Sequence, residues 1–373
     1  MTAAIPFALL LVLAAPAVAL PQAVSREPQA EGSQPHTEVS GPEAGSRKPE
    51  AQKPPLIGGR VYRAKVEAGG AQVAVWRYAA AGHRVGPPVL LFPELGLDRR
   101  IFDLRGFGLA RALQDHGHEV FVVEWRNTGA SSGSLPGMGG LDALFDGDAR
   151  AALKVAREAS PDGRVQLVGY GLGGAAAYLL AADPDAKIAA VVALAVPARY
   201  EVPNEAVRAF VRAAKAKGGL PAGNLDLRTW SRLPAPVGDG LRDLFGLLFL
   251  YGDSFTHEQG EALRALFGKA APELIGDVWR WMEAGDLPRA GSLKTALKKL
   301  TAPLLVAVGL RDNLVHLEHA LAVRELAPNA KRQELILQRV EGYPEDAGHL
   351  VLQAPWAAHD LFPKIEAFLR EHQ

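Results

Sequence analysis

From Val89 to Leu369 the chain alternates short strand-like segments, several of them apolar throughout, with helical patterns, and this alternation limits the fold more than any other feature. Val89 to Phe92, Val120 to Trp125, Val165 to Val168, Ile188 to Val196, Pro303 to Val308 and Leu335 to Val340 read as strands. Helical patterns run through Leu109 and Leu113, from about Leu141 to Ala159, up to Ala182, from about Leu317 to Leu326 and from about Trp356 to Leu369. A strand apolar on both faces needs cover on both faces, so these segments imply a parallel sheet in an α/β protein. Ahead of them, Arg60 to Val66 and Gln72 to Tyr78 flank Ala68-Gly69-Gly70 and predict a hairpin that adds an antiparallel edge. From about residue 199 to 300 the alternation gives way to helices and loops with no convincing strand. An insertion there emerges at the carboxyl ends of the strands, where it is placed to roof a site.

The folded domain is expected over residues 56–373. Residues 1–19 read as a signal peptide, with Ile5 to Leu20 almost wholly apolar and Ala17-Val18-Ala19 supplying small residues, although no Lys or Arg precedes the run. At about 16 residues the run is short of the roughly 20 a bilayer span needs, so cleavage leaves no membrane span. Residues 20–55 are rich in Pro, Glu, Gln, Ser, Gly and Lys and are expected to be a disordered linker. These features predict an exported protein of the periplasm, cell envelope or exterior. Lys and Arg number 41 against 41 Asp and Glu, so no net field favours nucleic acid or an anionic membrane. The chain has no cysteine, which excludes disulfides, thiolate metal sites and a cysteine nucleophile.

Leu167-Val168-Gly169-Tyr170-Gly171-Leu172-Gly173-Gly174 sits at a strand-to-helix turn and has two readings. One is a nucleophile elbow, G-x-S-x-G, with Gly171 where the serine stands. The other is the dinucleotide fingerprint G-x-G-x-x-G on Gly169, Gly171 and Gly174. That fingerprint normally follows the first strand of its domain and wants an acid about 20 residues on. Here several strands precede it, and Ala195-Val196-Pro197-Ala198-Arg199 occupies the acid's place. The elbow is the preferred reading, and no cofactor is expected.

Three more segments fit the elbow. Val123 to Ser131 looks like the strand and loop that precede it, Gly309 to Val315 like the loop of a triad acid, and Gly348-His349 like the loop of a triad histidine. With these in the order elbow, acid, histidine, the chain resembles the α/β-hydrolase superfamily from about Leu56 to its end. The Gly-Tyr-x-Leu-Gly-Gly elbow is similar to those of polyhydroxyalkanoate synthases and related lipase-like proteins, which place a cysteine where Gly171 stands. The resemblance implies an α/β-hydrolase fold, a mostly parallel sheet with helices on both faces and a helical cap insertion. It implies that Gly171 is a vacant nucleophile position, that Asp312 and His349 are triad acid and histidine, and that the Leu95 and Leu172 N–H groups are the oxyanion donors. Asp312 has a second reading as a cap of the helix that follows it. Relatives usually carry His-Gly where this chain has Pro93-Glu94; the Glu94 carboxylate stands either near the developing oxyanion, which it would disfavour, or out in solvent.

Without a hydroxyl at position 171, His349 has no proton to take and Asp312 no imidazolium to stabilise in that step. Tyr170 and Ser131 are the nearest substitutes, read instead as a packed ring and a loop hydroxyl. His316 and His319 are read as a solvated helix face, and no metal is expected. In the insertion, Leu244 to Tyr251 is too apolar to stand in water, Thr256 with Gln259 signals a helix start, and Ile275, Val278, Trp279 and Met282 share a helix face. These faces either pack together or roof a pocket for an apolar or acyl-type ligand. The favoured function is a non-catalytic hydrolase-fold protein that binds such a ligand or a partner. The alternative is an active hydrolase or acyltransferase on ester substrates, using a substitute nucleophile or activated water. A dinucleotide-dependent enzyme comes third.

Overall fold

The structure is a computed structural model and describes residues 60–65, 71–104, 108–131, 140–201, 225–226, 269–270, 272–287 and 292–373. The expected signal peptide (1–19) and linker (20–55) lie outside the described residues, as do Leu244 to Tyr251 and the helix expected to start near Thr256.

The main sheet comprises β1 (Arg60–Lys65), β2 (Gln72–Tyr78), β3 (Val89–Phe92), β4 (Val120–Glu124), β5 (Val165–Tyr170), β6 (Ile188–Leu194), β7 (Leu304–Gly309) and β8 (Arg332–Leu337). In space these eight strands run β1-β2-β4-β3-β5-β6-β7-β8. β1 and β2 form a hairpin, β2 pairs antiparallel with β4, and the remaining pairings are parallel. β3, β4, β5 and β7 are buried at every residue, as strands covered on both faces must be. β8 begins at Arg332 rather than at the expected Leu335. Its Arg332-Gln333-Glu334 start is polar because an edge strand leaves much of its length half-exposed, so an apolar run marks only its inner end.

Alternation along the strands divides the core in two. Leu90, Phe92, Phe121, Val123 and Leu167 join one cluster, while Val89, Leu91, Val120, Val122 and Val168 join the other. α1 (Leu109–Asp115) and the C-terminal α9 (Phe362–Glu371) cover the second face, with Leu113, Ile365 and Leu369 in that cluster. α2 (Ala149–Glu158) and α3 (Ala175–Ala181) cover the first. α2 buries Ala149, Ala152, Leu153 and Ala156, the spacing of a single helix face. A wider π-helical stretch, Ala143–Asp148, leads into it. There the Arg126 side chain donates to Asp148 and to the Ala143 carbonyl, tying the loop after β4 to this turn.

Two helices of the 199–300 insertion are described, α4 (Pro272–Ala284) and α5 (Leu293–Lys299). Ser292 caps α5 by accepting from Thr295 N at 3.1 Å, and its buried Leu293 and Leu297 face inward as it packs on α3. α4 buries Trp279, Trp281 and Met282. Leu225–Asp226 and Lys269–Ala270 also pair antiparallel, which corrects the expectation of no strand here. Two residues per strand give no alternation for a sequence pattern to reveal. α6 (Leu317–Leu321), α7 (Val323–Leu326) and α8 (Ala357–Asp360) complete the described helices longer than one turn.

Candidate active site

β5 ends at Tyr170, and the chain reverses at Gly171 into the turn Leu172–Gly174 that opens α3. Gly171 has φ 58° and ψ −148°, a conformation glycine holds without the strain a side chain would bring. A Cβ on Gly169 would lie 2.7 Å from Gly174 Cα, so the strand and the turn cross at a distance only glycines allow.

The loops after β7 and β8 meet beside this turn, because Arg311 N donates to Ala347 O at 2.9 Å. Their contact brings Asp312 to His349, with His349 Nδ1 donating to Asp312 Oδ2 at 2.8 Å. Asp312 Oδ1 accepts from Leu314 N at 2.9 Å and Val315 N at 2.8 Å. One carboxylate oxygen thus holds the loop and the other the imidazole, while the helix that follows is capped at His316 and not by Asp312, which corrects the helix-cap reading. Tyr170 stacks on the His349 ring at 5.4 Å between centroids, and its hydroxyl donates to the His349 carbonyl.

The space facing Gly171 is filled by Glu94, a residue outside the sequence-derived site. Glu94 Oε2 accepts from Leu172 N at 2.9 Å and lies 3.1 Å from His349 Nε2, while Oε1 accepts from Leu95 N at 2.5 Å. Both backbone donors singled out in the sequence, Leu95 and Leu172, thus hold one carboxylate. A Cβ built on Gly171 would stand 1.8 Å from Glu94 Oε2, close to the length of a covalent bond. Glu94 Oε2 therefore lies in the space that a side chain at 171 would enter. Trp125 Nε1 holds the Glu94 loop by donating to Pro93 O at 2.9 Å. The signal for Glu94 was present in the sequence as an acid beside a proposed oxyanion donor, opposite a turn residue with no side chain of its own.

Burial alone would lower the His349 pKa, but the charges and hydrogen bonds of Asp312 and Glu94 outweigh it and push the imidazole up to about 10. The two acidic side chains that flank His349 thus favour its imidazolium form. Burial, with Asp312 and Glu94 adding to it, drives the Tyr170 hydroxyl well above its usual range, so it stays protonated. Tyr170 is thereby a packing and positioning residue.

The sheet order and the three loops converging on the turn after β5 find their match among known proteins. The alpha/beta hydrolase fold family matches residues 87–339, more than half the chain. The chain belongs to the α/β-hydrolase family. A thermophilic esterase from Thermogutta terrifontis matches this hydrolase-family chain at 20% identity and TM-score 0.56, over 84% of this chain and 100% of that one. A bromoperoxidase from Bacillus anthracis matches at 17% identity and TM-score 0.56, over 84% and 100%. A hydrolase from Pseudomonas aeruginosa matches at 18% identity and TM-score 0.54, over 84% and 98%. At these identities the likeness is one of fold. No curated protein sequence matches the chain.

The remaining sequence candidates fall into place within this hydrolase fold. Ser131 Oγ donates to Glu124 O at 2.5 Å and accepts from Ala74 N at 2.8 Å, so its hydroxyl fastens a loop to the sheet. His319 is buried, edge-on to Tyr200 at 5.9 Å, which corrects the reading of a solvated histidine face. Its burial follows from the Ala198 and Arg199 amides, which bond to the His319 carbonyl and draw α6 against the end of β6. The dinucleotide reading requires the Leu172 end of the turn to receive a phosphate. That end already holds the Glu94 carboxylate. Among the described residues, no helix is long and apolar enough to cross a membrane.

Proposed function

We propose that this α/β-hydrolase-family chain is a hydrolase of acyl substrates that works without an elbow hydroxyl, Gly171 standing at the vacant nucleophile position. The observation that carries the reading is the buried Asp312–His349 pair, joined at 2.8 Å and aimed at the turn where the fold places its reactive group. Asp312 orients His349, and His349 moves the protons. The esterase and hydrolase named among the structural neighbours support the same reaction class, although fold alone does not assign it. This reading takes precedence over a non-catalytic role. It keeps an apolar or acyl-type ligand beneath the 199–300 insertion, a lipase-like elbow, and export directed by residues 1–19.

A second reading, a non-catalytic ligand-binding member, is favoured by one observation. Glu94 is 2% exposed and takes up both amide donors, which leaves them closed to a substrate oxyanion. One assay separates the two. The full chain is tested on acyl esters and thioesters of graded length beside His349→Ala. Turnover in the parent that falls at least 100-fold in the variant supports the hydrolase. No turnover on any substrate, together with thermal stabilisation by long-chain acyl compounds, supports the binding role.

A further inference from the structure

Glu94 is the one group at the site whose chemistry the hydrolase reading leaves unused. Its Oε2 accepts from Leu172 N and lies against His349 Nε2, whereas its Oε1, among the described residues, accepts only the Leu95 N–H, which leaves a lone pair on Oε1 for bond formation. We infer that Glu94 is the nucleophile of this site and that the substrate is an acyl group carried on a leaving group stable as an anion, a thioester or an aryl ester. The inference rests on the hydrolase reading and adds to it the identity of the reactive oxygen.

The chemistry follows from replacing an alcohol by a carboxylate. A serine must lose a proton before it attacks, and its histidine must be neutral to take that proton. A carboxylate attacks as it stands, so the histidine beside it has to begin as a proton donor. His349, raised to about 10 between Asp312 and Glu94, is in that state at neutral pH. Attack by Glu94 on the acyl carbon forms a mixed anhydride between the Glu94 carboxyl and the acyl group. The bond to the sulfur or aryl oxygen breaks, and His349 gives its Nε2 proton to the departing thiolate or phenolate.

Acylation abolishes the negative charge of Glu94, one of the two acidic groups that hold His349 protonated. The imidazole is left neutral, oriented by Asp312, and able to take a proton from water. Attack of that water on the anhydride releases the carboxylic acid, restores the Glu94 carboxylate and returns His349 to its protonated form, while one further proton leaves with the product. The net reaction is acyl thioester or aryl ester plus water to acid plus thiol or phenol, with no oxidant or reductant. Alkyl esters fit poorly, because an alkoxide is a far stronger base than the attacking carboxylate and the tetrahedral adduct reverts to the ester. The weak basicity of a carboxylate nucleophile thus selects leaving groups that depart as stable anions.

The test uses the full chain. The parent is mixed with an acyl thioester or a nitrophenyl ester in the presence of hydroxylamine, and its peptides are analysed by mass spectrometry. The expected result is a hydroxamate on Glu94 that forms only with substrate, with an alkyl ester of the same acyl group turned over at least 100-fold more slowly. Glu94→Gln, shown to be folded by its circular dichroism and melting, should lose both turnover and adduct. The two substrates distinguish a thiol from a phenol leaving group. Turnover in the parent without a Glu94 adduct, retained in Glu94→Gln, would overturn Glu94 as nucleophile while leaving a water-activating hydrolase in place. Absence of turnover on every substrate would overturn both readings. Trapping needs only the unmodified protein, so it decides the role of Glu94 even where the variant is unstable.

Discussion

Glu94 Oε2 and His349 Nε2 lie 3.1 Å apart although the residues are 255 positions apart in the chain. The contact joins the loop after β3 to the loop after β8, and through Leu172 and Asp312 it also engages the loops after β5 and β7. Four carboxyl ends of one parallel sheet are thus held by a single hydrogen-bonded chain of two carboxylates, an imidazole and a backbone amide. Such a chain is worth most when every member is present, because each survivor of a deletion is a buried polar group without its partner.

Gly171→Ala should be severely destabilising. The new Cβ would stand 1.8 Å from Glu94 Oε2, in a backbone conformation that costs a side chain about 1–3 kcal/mol. Displacing the carboxylate from His349 adds a cost on the scale of a broken buried pair, about 3–5 kcal/mol. Combining Gly171→Ala with Glu94→Gly removes the collision and should recover part of the loss. Urea unfolding of both single variants and the double variant measures the coupling. If the two single losses simply add, the residues do not compete for one space.

Stability should fall as pH rises from neutral towards 10. His349 has its pKa raised on folding from 6.5 to about 10, so its contribution is complete below about pH 6.5 and is lost as pH climbs through the folded value. Denaturant midpoints at pH 7 and pH 10 should differ more for the parent than for His349→Gln. Equal slopes in the two proteins would show that another group governs the alkaline loss.

Asp148→Asn should destabilise the fold by about 3–5 kcal/mol without touching the candidate site, because it leaves a buried guanidinium without its counter-charge. Arg126 N donates to Asp148 Oδ2 at 2.9 Å and Nε to Oδ1 at 2.8 Å, and both side chains are buried. The measurement is the shift in unfolding midpoint, and a loss below about 1 kcal/mol would mean that water or Ala143 compensates.

Much of the sheet was legible because its strands are buried on both faces. Val89 to Phe92 has no polar residue to blur its ends, and the observed strand covers the same residues. β8 was legible only in part, since its polar start lies at an edge where burial does not dictate residue type. Asp312 and His349 could be singled out because each follows a strand in a fixed chain order. Glu94 could not be placed the same way. Whether a carboxylate in a loop turns inward depends, beyond the adjacent Leu95 amide, on two donors brought from distant segments, Leu172 and His349, and no local pattern records their convergence.

The missing side chain at Gly171 also ties the fate of two positions together. Any residue larger than glycine at that turn would collide with the acid opposite it. A chain bearing a side chain there could not hold the acid in its present place against Leu172 and His349. A mutation that adds a side chain at 171 now meets an occupied space. The pair should be inherited as a unit: homologues that keep an acid at position 94 should keep glycine at 171, and gain of a side chain at 171 should require both codons to change.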